Sequence, residues 1–115
     1  MPHAVIDYSA NIEEEVIDAD VVNLVHSALS DSGLFQAKDI KTRAYIAGDY
    51  MVGEKGPDGN FVHVAVAILE GRSAEQKQKL SQSVFDAVRK ELPAVDSLTV
   101  EIRELAKDSY RKIGG

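Results

Sequence analysis

The sequence predicts an α+β fold in which a four-stranded sheet carries two helices on one face. Two observations indicate this. The chain has 115 residues, enough for a single domain spanning 1–115. Strand-like and helix-like patterns alternate in the order strand, helix, strand, turn, strand, helix, strand, which divides into two β-α-β halves at about 2–47 and 61–105. Two helices cover only one face of such a sheet, so we expect a partner subunit to cover the other.

The first half begins with a β-rich run, His3–Tyr8, directly after Pro2. Proline has no N–H to donate to a sheet and suits the first position of a strand. Asp18 or Asp20 can cap the helix that follows, and Gly33 fits just past its end. Apolar residues with helical spacing predict that helix: Val21, Leu24, Val25, Ala28 and Leu29.

The second and third strands differ in pattern. Residues 39–47 alternate, which places three polar or basic side chains on one face: Lys41, Arg43 and Tyr45. The segment 48–60 is rich in glycine and predicts a turn-rich connection. Phe61–Leu69 is nearly all apolar, as expected for a central strand that is covered on both faces.

The last helix and strand have clear limits. Ser73 and Gln76 match a capping box, and Pro93 ends the helix. The helix buries an apolar stripe: Leu80, Val84, Ala87, Val88 and Leu92. Residues 98–103 alternate as a final strand, and the polar tail to Gly115 is expected to be loose.

Composition excludes several classes of function. The chain has no cysteine, so disulfides, thiol catalysis and thiolate metal sites are excluded. Its net charge of −6 repels nucleic acid and anionic lipid, and no apolar run approaches a membrane span. Its start lacks the features of a signal peptide, so we expect a cytoplasmic protein. The histidines His3, His26 and His63 match no metal-binding spacing, and His63 is expected to be a core residue.

Pro2 is the first candidate for chemistry. Removal of methionine is favoured before a small residue such as proline, and it would leave a secondary amine at the chain terminus. A free α-amino group has a pKa of about 7.7–8.0, which burial or a nearby guanidinium lowers further. A neutral amine near physiological pH is a good general base. If Met1 stays attached, however, the Pro2 nitrogen is an amide without basicity.

Three cations are candidates for binding an anion. Arg72 lies between a central strand and a capped helix, where it can grip a carboxylate or pair on the surface with Glu70 or Glu75. Lys41 and Arg43 share a strand face, which lines either an anion pocket or a solvated surface.

Several stretches, taken together, carry a resemblance to a known family. They are Met1-Pro2-His3 opening a strand, Asn11-Ile12-Glu13-Glu14, Gly33-Leu34-Phe35 after the first helix, and Phe61-Val62-His63 leading to Gly71-Arg72-Ser73 with Glu75 and Gln78. In order and spacing, over nearly the whole chain, this resembles the 5-carboxymethyl-2-hydroxymuconate isomerase family.

The resemblance implies the tautomerase superfamily fold, assembled as a homotrimer, and isomerisation without metal or cofactor. Pro2, as the terminal amine, would move a proton of a hydroxymuconate dienol to carbon, which gives the conjugated ketone. Arg72 would hold a carboxylate of the substrate. Lys41 stands where the family pattern has an arginine and Arg43 also matches a basic position, so either is a candidate second cation. The role implied is the catabolism of aromatic compounds.

Two alternatives remain open at this point. The same base suits another keto–enol tautomerase, such as one acting on an arylpyruvate, which needs one cation and an apolar wall. A tricarboxylate instead requires several cations in the pocket. The chain could also be a binding or assembly protein on the same fold, which retained Met1 would favour.

Overall fold

All four predicted strands are present in a computed structural model that describes residues 1–115. They form one mixed sheet in the order β2-β1-β3-β4. The strands are β1 His3–Ser9, β2 Lys41–Ala47, β3 Phe61–Leu69 and β4 Ser97–Leu105.

The helices number three rather than two: α1 Glu13–Asp18, α2 Val21–Asp31 and α3 Ala74–Glu91. The acidic stretch after β1 forms α1, which ends just before α2 begins. Asp20 separates them with a left-handed backbone (φ 51°) and forms no side-chain capping bond. Short 3-10 turns lie at Ala10–Ile12, Ala37–Asp39, Gly53–Lys55 and Lys107–Ser109.

Two β-α-β units meet at the centre of the sheet. β1 runs parallel to β2, with His3 opposite Lys41, and β3 runs parallel to β4, with Phe61 opposite Ser97. β1 and β3 are antiparallel neighbours. Parallel pairs need a crossover connection, which α1 and α2 supply in the first unit and α3 in the second. The predicted α+β sheet of two such units is therefore confirmed.

The core lies between one face of the sheet and the helices. On β3 every second residue is fully buried, namely Val62, Val64, Val66 and Ile68. These side chains share one cluster with residues of α2 and α3: Val21, Val25, Leu29, Leu80, Val84 and Val88. Burial of this apolar surface is the main favourable term in folding.

The opposite face of the sheet, here called the open face, carries no helix. The alternate residues of β3 are only half-buried there: Phe61, His63, Ala65, Ala67 and Leu69. The expectation that this strand is covered on both faces therefore does not hold within one chain. Four of these five side chains are apolar, which makes the open face suited to contact with another subunit.

The ends of two helices fix the segments around the site. Ser73 and Gln76 form the predicted capping box, in which the Ser73 hydroxyl accepts from the Gln76 N–H at 3.1 Å and the Gln76 side chain accepts from the Ser73 N–H at 2.9 Å. At the end of α2, Gly33 has a φ of 76°, which a glycine adopts without strain.

The tail after β4 is held in place, contrary to the expectation that it is loose. The Tyr110 hydroxyl hydrogen-bonds the His3 ring at 2.9 Å, and the Gly115 carbonyl accepts from the Met1 amine at 3.0 Å. The tail is polar in sequence, but these bonds pack it beside the N-terminus. None of the helices is both long and apolar enough to cross a membrane.

Candidate active site

The N-terminus lies at the start of β1, largely enclosed by protein. Met1 is 8% exposed and the Pro2 side chain is fully buried. The Met1 amine donates to the carbonyls of Asp39 and Gly115, both at 3.0 Å. With Met1 attached, the Pro2 nitrogen is an amide, so the only basic nitrogen at this point is that of Met1.

The environment of this amine disfavours its protonated form. The pKa of the Met1 amine is lowered from 8.0 to about 6, mainly by burial and next by the neighbouring Lys41 ammonium. The charge of Lys112 acts in the same direction, and only the Asp39 carboxylate opposes it. An amine held here is therefore mostly neutral at pH 7, as a general base must be.

The turn between β3 and α3 places Arg72 near the N-terminus. Gly71, just before it, has a φ of 121°, which a residue with a side chain rarely adopts. One terminal nitrogen of Arg72 donates to the Leu34 carbonyl at 2.6 Å, and the guanidinium lies 5.6 Å from the centre of the Phe35 ring. Arg72 forms no ion pair with Glu70 or Glu75, since Glu75 pairs with Lys79 and the Glu70 carboxylate accepts from a backbone N–H.

The Nε atom of Arg72 is buried and has no hydrogen-bond partner. Buried polar groups in proteins almost always have one, and leaving a donor unpaired costs about 1–3 kcal/mol. A carboxylate bound beside the guanidinium would satisfy this donor.

One cavity brings the N-terminus and Arg72 together. It has a volume of about 410 Å³ and is here called the Met1 cavity. Its lining includes Met1, Leu34, Phe35, Arg72, Lys107 and Lys112. Asp39 and Glu70 also line the cavity, so its three side-chain cations exceed its carboxylates by one. This excess of positive charge, together with the apolar walls of Leu34 and Phe35, suits an anionic ligand with an apolar skeleton.

Lys41 adjoins the Met1 cavity, whereas Arg43 does not line it. The Lys41 ammonium donates to the Asp39 carbonyl at 2.8 Å and to the Gly115 carbonyl, the two oxygens that also accept from the Met1 amine. The register places Lys41 and Arg43 on the same sheet face, as predicted. Arg43 instead lines a cavity of about 410 Å³ over the open face, with His3, His63 and Arg103.

His63 is not the core residue that its apolar strand suggested. It lies half-exposed on the open face and hydrogen-bonds Thr99 at 2.6 Å and Glu101 at 2.7 Å. No group of three or more potential ligands among His, Asp and Glu is arranged to hold a metal ion.

Sequence reasoning missed Lys107 and Lys112, because both lie in the tail that was expected to be loose. A signal was available in the strand pairing. β3 and β4 are parallel, with Leu69 opposite Leu105, so the residues that follow the two strands meet at one edge of the sheet. Lys107 thereby comes beside the turn that carries Arg72.

A third cavity, of similar size, is lined by acidic residues. It has a volume of about 450 Å³ and is lined by three carboxylates and no cation: Glu15, Asp18 and Glu91. An anion would be repelled there. Of these two cavities, the Met1 cavity is the one matched to a carboxylate ligand.

Comparison with known proteins gives the family. The family model described as 5-carboxymethyl-2-hydroxymuconate isomerase matches residues 2–113. The chain belongs to this isomerase family. Within it, the chain is 27% identical over 110 residues to 5-carboxymethyl-2-hydroxymuconate Delta-isomerase of Escherichia coli, an alignment that covers 91% of this chain and 87% of the relative. The family is part of the cofactor-independent tautomerase superfamily, so the chain is an isomerase.

Solved structures show the same fold. A 5-carboxymethyl-2-hydroxymuconate isomerase from Deinococcus radiodurans R1 superposes with a TM-score of 0.86 at 24% identity, covering 99% of this chain and 90% of that one. A fused 4-OT described as a symmetric trimer gives 0.78 at 18% identity, covering 98% and 93%. The tautomerase-like fold of this family member is therefore established.

Proposed function

We propose that this isomerase converts a 2-hydroxymuconate-type dienol, such as 5-carboxymethyl-2-hydroxymuconate, to its conjugated ketone, with the amine of Pro2 as general base. The observation that carries the proposal is the Met1 cavity. It joins an amine of lowered pKa to Arg72, whose buried Nε has no partner.

The base requires removal of Met1. Met1 lines the cavity and Pro2 lies directly behind it. Loss of Met1 would extend the cavity to the Pro2 nitrogen and turn that amide into a secondary amine. The causes that lower the pKa of the Met1 amine, burial and the Lys41 ammonium, would act on the new amine as well.

The proton transfer then needs one base. The amine takes the proton of the 2-hydroxyl group as the enol C–O bond becomes a carbonyl. The electron pair of the adjacent double bond shifts along the dienol, and a carbon at its far end takes the proton from the resulting ammonium. One O–H bond is broken and one C–H bond is formed, so the amine returns to its neutral state.

Two cations have distinct proposed roles. Arg72 would hold a carboxylate of the substrate through its free Nε and the adjacent terminal nitrogen, because Leu34 and Phe35 fix the plane of its guanidinium. Lys41 would keep the amine neutral and add positive charge near the reacting end. We favour Lys41 over Arg43 as the second cation, because Arg43 lines the cavity over the open face.

The number of cations separates this proposal from arylpyruvate tautomerisation. Arg72, Lys107 and Lys112 line the Met1 cavity, and Lys41 adjoins it. None of the four takes part in a salt bridge. The carboxylates of Asp39 and Glu70 offset two of these four charges, which leaves two positive charges for a ligand. A monocarboxylate would match only one of them, whereas a substrate with two or more carboxylates would match both.

We also propose that the open face packs against other copies of the chain in a homotrimer. Two observations support this assembly. The residues of β3 on the open face are half-buried and mostly apolar, and the related 4-OT structure is described as a symmetric trimer. Light scattering at micromolar concentration should give three chain masses, and a stable monomer would contradict this assembly. A cytoplasmic location and a role in aromatic-compound catabolism complete the proposal.

The experiment that tests the function uses two forms of the protein. Intact mass first establishes that one form begins at Pro2, and a second form carries an added residue before Pro2. The loss of ultraviolet absorbance of the dienol is then followed. The first form should turn over, and the extended form should be inactive with unchanged circular dichroism and assembly. Equal rates for the two forms would place the base elsewhere.

A further inference from the structure

The tail after β4 is positioned by hydrogen bonds at two points. The Glu70 carboxylate accepts from the Lys107 N–H at 2.7 Å, and the Glu70 N–H donates to the Leu105 carbonyl at 3.1 Å. Farther along, Tyr110 bonds His3 at 2.9 Å. The backbone that carries Lys107 and Lys112 is therefore tied to both central strands of the sheet.

Both lysine side chains face the Met1 cavity. Lys107 Nζ lies 3.5 Å from the position that a Cβ atom on Gly71 would occupy, so it lies over the turn that carries Arg72. Lys112 lines the same cavity, and its charge reaches the Met1 amine strongly enough to lower the pKa of that amine.

These ammonium groups have no carboxylate partner, although acidic residues outnumber basic ones by 19 to 13. The carboxylates of Glu70 and Asp39 line the same cavity and offset part of this charge, but neither forms a salt bridge with the two lysines. The excess positive charge that remains in the lining attracts an anion.

We propose that Lys107 and Lys112 form a second carboxylate subsite, which selects substrates with a carboxylate on a flexible arm beyond the conjugated chain. This rests on the proposed function. Arg72 offers a planar, fixed fork that suits a carboxylate on a rigid conjugated skeleton. The two lysines are point charges on flexible stems, which suits the carboxymethyl arm of the tricarboxylate.

The test compares two substrates on matched variants. The double variant Lys107→Gln/Lys112→Gln is assayed with 5-carboxymethyl-2-hydroxymuconate and with 2-hydroxymuconate, which lacks the arm. The ratio of the two kcat/KM values should shift against the tricarboxylate by about 3- to 30-fold, the effect of one or two exposed ion pairs. Lys107→Arg/Lys112→Arg should keep the wild-type ratio.

The control is Lys90→Gln/Arg111→Gln. It removes the same net charge from exposed residues that do not line the Met1 cavity, and it should leave the ratio unchanged. An unchanged ratio in the lysine double variant, or an equal shift in the control, would overturn the subsite.

A binding measurement separates this result from the proposed function. Titration calorimetry with propane-1,2,3-tricarboxylate and with glutarate, neither of which reacts, gives the same comparison without turnover. If the wild type fails to isomerise either dienol, the proposed function fails. The subsite then stands if the lysine variant alone loses affinity for the tricarboxylate, and it falls if the variant binds both acids as the wild type does.

Discussion

Two arginines, one in the Met1 cavity and one on the open face, are used in opposite ways. On the open face, Arg103 donates through two nitrogens to both oxygens of Glu101, at 2.8 and 2.9 Å. Arg103 and His63 together lower the pKa of Glu101 to about 2. In the Met1 cavity, Arg72 contacts a carbonyl and an aromatic ring, and its Nε is unpaired.

The difference indicates what each surface is for. Both donating nitrogens of Arg103 are already paired with Glu101. This part of the open face therefore presents little unpaired charge to a ligand. The guanidinium of Arg72 is half-buried and held by Leu34 and Phe35, and its buried Nε has no partner. Because a buried unpaired donor is costly, we interpret Arg72 as a binding group and Arg103 as part of a subunit contact surface.

Replacement of Arg72 by alanine should give the largest effect among the binding residues. The loss of a charge-assisted contact of about 1.5–3 kcal/mol lowers kcat/KM for the dienol by about 10- to 150-fold, mainly through KM. Steady-state kinetics measures this. Arg103→Ala is the matched control. The protein of this variant that remains assembled as a trimer should have the wild-type KM. Similar losses in both variants would remove the distinction between the two surfaces.

Lys41→Gln should give a smaller loss, about threefold to tenfold in kcat/KM, together with a shift in the pH profile. Lys41 carries positive charge, which disfavours the ammonium form of the terminal amine and lowers its pKa. Its removal raises that pKa, so the rising limb of kcat/KM moves to higher pH. Arg43→Gln should not move the limb, since Arg43 lines the cavity over the open face and not the Met1 cavity. If Arg43→Gln shifts the profile and Lys41→Gln does not, our choice between the two cations is incorrect.

Phe35→Leu should give the smallest effect. The substitution keeps an apolar wall but removes the ring beneath the Arg72 guanidinium, a contact of about 0.5–1 kcal/mol. KM should rise about twofold to fivefold with kcat unchanged. The exchange Phe85→Leu, on α3 and outside the Met1 cavity, controls for general destabilisation. A KM for Phe35→Leu equal to that of this control would show that the ring does not orient Arg72.

Much of the fold could be predicted from the sequence because its signals are local. The bounds of β3 match the prediction because the strand is an unbroken run of mostly apolar residues. The capping box of α3 matches because Ser73 and Gln76 are three residues apart, which the sequence shows directly. The start of α2 after Asp20 also matches the prediction, whereas the separate helix α1 was not predicted, because six residues are too few to show a helical apolar period.

The candidate site was only partly predictable, for a different reason. Residue type and resemblance predict Pro2, Lys41 and Arg72 as site residues, but the orientation of Arg72 depends on Leu34 and Phe35, which lie in the segment after α2. Lys107 and Lys112 join the site through strand register and hydrogen bonds of the tail, neither of which is local.

The most direct test of the central claim is the pKa of the Pro2 amine itself. Protein that begins at Pro2 and is labelled with ¹⁵N-proline can be titrated by NMR, and the result compared with the kcat/KM profile. We predict that the amine titrates below the ordinary α-amino range of about 7.7–8.0, and that kcat/KM rises through the same ionisation. An amine that titrates within or above that range, or a profile that follows a different pKa, would contradict the account.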